Sequence, residues 1–269
     1  MSDDDFASEV ESIRDEYRRR DVASQCRGVY TFENPAHAHL VFERERAILG
    51  ALGRYLRVPL AQASILDVGC SAGVSLAFLA LYGASASLLH GVDISESRIE
   101  SGRNTFPGFD LRVSDGVDLP YDGSSFDLVQ QITVLSSVPN DQLRHHLAAE
   151  MLRVLRPGGL VLSYDVAPLG LAPRVLNRAL SMLGRRAPAP TPAVGRTDAE
   201  PVTLRAPTAL DATEVRRLFR GATECELRRL SLYRPLAERL AGHDVALAAV
   251  SRVTPLTSAV LYVGEKPER

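Results

Sequence analysis

Three features of the sequence predict an α/β fold built on a mostly parallel sheet. Short apolar runs recur from Ser64 onward, amphipathic stretches of helical period separate them, and small-residue turns join run to helix. The runs are Ile65 to Val68, Leu88 to Val92, Leu111 to Val113, Phe126 to Ile132 and Leu160 to Tyr164. Each is short and almost continuously apolar, as strands buried on both faces are. The stretches between them are long enough to be the crossovers that parallel strands need.

Taken in order, residues 1 to 60 read as helical: a polar segment from Glu9 to Arg20, a turn near Tyr30 to Glu33, and a helix from Pro35 to Leu56. Asn34 before Pro35 forms a natural N-cap and first helical position. His37, Val41, Ile48, Leu52 and Tyr55 share one face at helical spacing. The strongest later helix starts at Asn140 or Asp141, turns Leu143, Leu147, Met151 and Leu155 inward, and is expected to stop at Pro157-Gly158-Gly159. Residues 184–207 are rich in proline and small residues, which predicts a mobile insertion. Beyond it come a helix from Asp211 to Phe219, a strand from Glu224 to Tyr233, a helix from Pro235 to Val250 and a last strand from Ser258 to Val263. The expected organisation is a helical N-terminal lid (1–60), an α/β core (61–183), the insertion (184–207) and a completion of the sheet (208–269).

The 31 basic and 33 acidic residues are interspersed, and a net charge of -2 gives no field that would favour nucleic acid or an anionic membrane. Three distant cysteines, Cys26, Cys70 and Cys225, match neither a disulfide framework nor a zinc site, which points to a reducing compartment. No basic-then-apolar leader and no run of about 18 apolar residues is present, so a cytoplasmic location without a membrane anchor is expected.

The turn Asp67-Val68-Gly69-Cys70-Ser71-Ala72-Gly73 joins the first strand to a helix through small residues. Such a turn lets backbone amides approach a nucleotide-like ligand in front of a helix N-terminus. About 20 residues beyond Gly73, Asp93 closes the second strand, where a carboxylate can accept hydrogen bonds from both ribose hydroxyls. Asp115 follows the third strand and can accept from an exocyclic adenine amine, with the backbone of Gly116 and Val117 facing the ring nitrogens. A dinucleotide site would ask for glycine at positions 71 and 74, which are Ser and Val. With no phosphate clamp in evidence, the acid at Asp67 suits the cationic ammonium and sulfonium of S-adenosylmethionine.

These segments, together with Asp118-Leu119-Pro120-Tyr121, Ser125-Phe126-Asp127-Leu128-Val129 and Leu155-Arg156-Pro157-Gly158-Gly159, resemble in order and spacing the motifs of class I, Rossmann-like S-adenosylmethionine-dependent methyltransferases over residues 64–166. The resemblance implies a doubly wound sheet of seven strands with helices on both faces, whose last two strands form an antiparallel edge. It implies that Asp67, Gly69 and Gly73 hold the methionine end, Asp93 the ribose and Asp115 the adenine. Cys70, Ser71, Ile94, Gly116 and Gln131 are assigned to the same site, with Ser71 standing where the family usually has glycine. Further segments, among them Glu43-Arg44-Glu45-Arg46 and Tyr164-Asp165, are similar to a bacterial subgroup found beside polysaccharide and natural-product pathways. That likeness implies a sugar or secondary metabolite as acceptor.

Methyl transfer asks chiefly that the acceptor be aligned and water excluded. A hydroxyl acceptor would also gain from a general base. His37 is the leading candidate, followed by Asp165 with Tyr164 at the end of the fifth strand. Tyr30, Phe32 and Asn34 are expected to cover the methyl-bearing end. No metal is expected, and a homodimer is compatible with the composition. The competing readings are a non-methylating reaction on the same fold, such as cyclisation or decarboxylation, and a protein that only binds the cofactor.

Overall fold

The computed structural model describes residues 8–19, 34–170, 206–240 and 243–268. Cys26, Tyr30, Phe32 and nearly all of the proline-rich stretch lie outside the described residues. Helix α1 covers residues 8–19 and α2 covers Pro35–Tyr55. The α/β alternation then runs β1 (Ile65–Val68), α3 (Val74–Leu81), β2 (Leu89–Asp93), α4 (Glu96–Thr105), β3 (Asp110–Val113), β4 (Phe126–Ile132), α5 (Asp141–Val154) and β5 (Leu155–Val166). After the undescribed stretch come α6 (Ala212–Leu218), β6 (Thr223–Leu232), α7 (Arg234–Leu240), α8 (Asp244–Val250) and β7 (Thr257–Glu265).

The seven strands form one sheet in the order β3-β2-β1-β4-β5-β7-β6. β1 to β5 pair in parallel, whereas β7 is antiparallel to both β5 and β6. The expected sheet, with its antiparallel edge, is therefore observed. All four residues of β1 are buried, as strands covered on both faces require. Leu66, Val129 and Val161 pack with Leu143, Leu147 and Met151 of α5 and Val215 of α6. Ile65, Leu128 and Leu162 pack on the opposite face with Ile48, Ala51 and Leu52 of α2, Leu76 of α3 and Ile99 of α4.

Helix α2 has the predicted ends. The Asn34 side chain accepts from the amides of Ala36 (3.1 Å) and His37 (3.4 Å), a cap worth about 1 kcal/mol. Two other boundaries differ from the expectation. α5 ends at Val154, because Leu155 is already extended and pairs with Phe126. Pro157-Gly158-Gly159 then lies within β5 as an irregularity, with Gly158 at φ 73 and its amide donating to the carbonyl of Lys266. The single helix expected over Pro235 to Val250 is two helices, with His243 in a non-helical conformation (φ -122) at the start of α8. Among the described residues no helix is long and apolar enough to cross a membrane.

Candidate active site

The sheet order places β1 between β2 and β4, so the connections leaving β1 and β4 diverge to opposite sides. A crevice at the carboxyl ends of the strands is the usual ligand position at such a switch. The turn after β1 occupies it. The amides of Gly69 and Cys70 both donate to the carbonyl of Val92, at 2.8 and 2.9 Å, and tie the turn to β2. Gly69 and Gly73 have φ of 74 and 81, in the left-handed region that suits residues without Cβ. At Gly69 a Cβ would also stand 2.2 Å from Cγ2 of Val134, in the segment after β4. Cys70 is buried against Gly91, and burial pushes its thiol well above the usual range.

Ser71 adopts φ 54, a left-handed conformation that costs a residue with Cβ roughly 1 to 2 kcal/mol. Ser71→Gly is therefore expected to raise the thermal midpoint by about 2 °C, since about 1 kcal/mol moves Tm by 2 to 4 °C in a domain of this size and glycine's chain entropy offsets part of the gain. An unchanged or lower midpoint would show that the turn carries no strain.

The acids of the site differ in what their oxygens do. Asp93 is buried, and its two oxygens accept from the backbone amides of Ser71 (2.8 Å) and Ser95 (2.9 Å), so the carboxylate braces two turns at once. Each oxygen retains further acceptor capacity. Asp67 is also buried, but among the described residues its Oδ1 and the neighbouring Gln130 Oε1 find no hydrogen-bond partner. Burial, opposed by a Gln130 hydrogen bond and the Arg44 charge, raises the Asp67 pKa to about 8. Asp115 is exposed after β3 and accepts from the Val117 amide (3.0 Å), next to buried Gly116 at φ 78. Ile94 is half-buried against the same core.

The proposed proton acceptors divide differently. Asp165 is 0% exposed; Oδ1 accepts from the Ser136 amide (2.9 Å), and Oδ2 accepts from Ser163 Oγ (2.8 Å) and from Gln131 Nε2. Its pKa is raised, chiefly by burial. Tyr164 is buried and its hydroxyl donates to Ser231 Oγ (2.7 Å). A base must meet its acceptor's proton; in this conformation both groups serve internal hydrogen bonds. Gln131, assigned above to the cofactor, likewise points inward. His37 lies in the first turn of α2, with Nδ1 3.3 Å from Arg234 Nη2, which begins α7 after β6. An arginine can only donate, so Nδ1 is the acceptor nitrogen. Burial, then the charges of Arg234 and Arg44, lower the His37 pKa and keep the ring neutral near pH 7.

Sequence reasoning assigned no role to Arg44 and Glu45. Glu45 is buried and paired with Arg44, whose guanidinium lies 5.8 Å from the Tyr164 ring centroid. The available signal was spacing: Glu45 falls three residues before Ile48 and seven before Leu52, on the buried stripe of α2. Among the described residues, no group of three or more His, Cys, Asp or Glu is arranged to hold a metal ion.

Comparison with known proteins agrees with this geometry. Residues 65–159 match the family model described as a methyltransferase domain. Methyltransferase GfsG of Streptomyces halstedii is 34% identical over 112 residues, which cover 39% of this chain and 38% of that protein. The chain thus spans well under half the length of the curated relatives it matches. Among solved structures, a SAM-dependent methyltransferase from Methanosarcina mazei superposes with a TM-score of 0.57 at 18% identity, covering 81% of this chain and 97% of that one. Geranyl diphosphate C-methyltransferase from Streptomyces coelicolor A3(2), solved with Mg2+, geranyl diphosphate and S-adenosyl-L-homocysteine, gives 0.54 at 15% identity, covering 82% and 79%. Motif order, sheet order and family match coincide on one segment, residues 65–159, which is similar to the methyltransferase-domain family, on the fold that these solved structures share.

Proposed function

We propose that this chain binds S-adenosylmethionine at the β1 turn and transfers its methyl group to a small-molecule acceptor, a hydroxyl or amine of a sugar or secondary metabolite. The observation that carries the reading is a pair of buried acceptors, Asp67 Oδ1 and Gln130 Oε1, that have no partner among the described residues. A buried acceptor left unpaired costs about 1 to 3 kcal/mol, so the pair calls for a ligand with donors. The ammonium of a methionine moiety supplies donors and the positive charge that Asp67 lacks. When bound, the cofactor supplies a methyl group already attached to a good leaving group.

The residues of this chain do the rest. Gly69 and Gly73 let the backbone approach closely, Asp93 offers its spare lone pairs to the ribose diol, and Asp115 and Gly116 are the residues assigned to the adenine edge. For an amine acceptor, alignment suffices. For a hydroxyl, His37 takes the proton at Nδ1, where the long bond from Arg234 gives way to the acceptor. The lowered pKa keeps that nitrogen unprotonated beforehand.

The reading is tested by mass spectrometry of reactions with S-adenosylmethionine and a panel of hydroxylated and amino-bearing sugars and metabolites. The expected product is heavier by one methyl group and accompanied by S-adenosylhomocysteine. A converted but unmethylated product would instead establish a cyclising or decarboxylating enzyme, and binding without conversion of any panel member would establish a binding protein.

A further inference from the structure

Thr133 follows β4 with φ 61, a left-handed conformation that a β-branched residue holds only when its surroundings over-determine it. The constraint comes from a buried polar network that reaches the segment from two strands. Gln131 Oε1 accepts from the amides of Val134 (2.8 Å) and Leu135 (3.4 Å), and Asp165 Oδ1 accepts from that of Ser136 (2.9 Å). The Thr133 amide donates to the Tyr164 carbonyl (2.7 Å), and Ser137 Oγ donates to the Thr133 carbonyl (2.8 Å). Gln131 and Asp165 are themselves joined, because Gln131 Nε2 donates to Asp165 Oδ2 and to Ser163 Oγ (2.6 Å). All three side chains are essentially sealed from solvent.

What the network holds is Val134, which presses on the cofactor turn so closely that a Cβ at Gly69 would overlap it. We infer that Gln131 and Asp165 are positioning residues: through residues 133–137 they fix Val134 as the stop against which the Gly69 to Gly73 turn is shaped. This inference rests on the reading of that turn as the S-adenosylmethionine site. Gln131 and Asp165 touch neither cofactor nor acceptor in this role, so it differs from the contacts expected of them above.

The direction of each hydrogen bond makes the idea testable. Asp165→Asn sets an amide donor against Gln131 Nε2; if Gln131 flips to relieve the conflict, Oε1 abandons Val134. Gln131→Glu instead brings two carboxylates together. Made jointly, the substitutions restore complementarity. The new carboxylate at position 131 accepts from the Val134 amide and from the new side-chain amide at position 165, whose oxygen still accepts from Ser136.

The full chain, the two single variants, the double variant and Val134→Ala would be titrated calorimetrically with S-adenosylhomocysteine and melted without it. Each single variant should bind about tenfold more weakly, as expected when a buried network loses a partner. The double variant should recover to within about threefold of the parent. Val134→Ala, which leaves the network intact, should weaken binding about fivefold while still melting cooperatively. A merely structural role predicts lower melting points with the affinity of the folded chain unchanged, and that result overturns the proposal. So does a double variant no better than the singles. If neither single variant folds, Val134→Ala decides by the same criterion: weakened binding upholds the relay and parental affinity ends it. If the parent itself does not bind S-adenosylhomocysteine, it is the cofactor reading that has failed, and this inference falls with it.

Discussion

Asp93→Ala should lower the affinity for S-adenosylhomocysteine by about one to two orders of magnitude, since a hydrogen bond to a charged group contributes about 1.5 to 3 kcal/mol. Two losses act together. On the proposed reading the ribose hydroxyls lose their charged acceptor, and the amides of Ser71 and Ser95 lose the carboxylate that binds them now. The second loss loosens the cofactor turn itself. Asp93→Asn keeps one oxygen for one of the two amides and should fall between the parent and the alanine variant. Isothermal calorimetry on proteins shown to be folded by circular dichroism measures the effect; parental affinity in folded Asp93→Ala would remove this residue from the site.

The same affinity should climb with pH up to about 8, by as much as a factor of ten per unit, which is the limit for release of one proton. The cause is Asp67, whose pKa burial raises from 3.8 to about 8, so that near pH 7 the ligand-free carboxyl is mostly protonated. A cationic methionine end selects the carboxylate and must expel that proton. The linkage also acts on folding. Between 3.8 and about 8 the folded chain holds a proton that the unfolded chain has released, so Asp67 makes the ligand-free protein less stable as pH rises through that window. Asp67→Asn should flatten both profiles and weaken binding at pH 8. Titrations and thermal melts from pH 5 to 8.5 check both signs, and a flat binding profile in the parent would refute the assignment of Asp67 to the cation.

The β1 turn and the helix start at Asn34-Pro35 were legible in the sequence because their geometry is local. A glycine marks backbone in the left-handed region, and an asparagine before a proline marks a cap, whatever packs around them. The end of α5 was less legible. Pro157-Gly158-Gly159 breaks a helix wherever it occurs, yet the chain had already left the helix at Leu155 to pair with Phe126, a decision made by the neighbouring strand. The Glu43-Arg44-Glu45-Arg46 run entered the sequence analysis only through its resemblance, and the burial of Glu45 beside Arg44 shows only when the apolar stripe of α2 is followed residue by residue.

Asp67 and Asp165 show where the boundary lies. From the sequence alone, each is an aspartate near the carboxyl end of a buried parallel strand, and both are reasonable site residues. Alternation along the strands puts them on opposite faces of the sheet, Asp67 toward α2 and Asp165 toward the side packed by α5. On the first face Asp67 meets Gln130, and one of its oxygens is unpaired among the described residues. On the second, Ser136, Ser163 and Gln131 occupy both oxygens of Asp165. The sequence by itself determined the succession of strands, the helix start at Asn34-Pro35 and the glycine turn, because these depend on residues close together in the chain. Only the tertiary structure decided which buried carboxylate has an oxygen left unpaired among the described residues, because hydrogen-bond satisfaction depends on partners brought in from other strands.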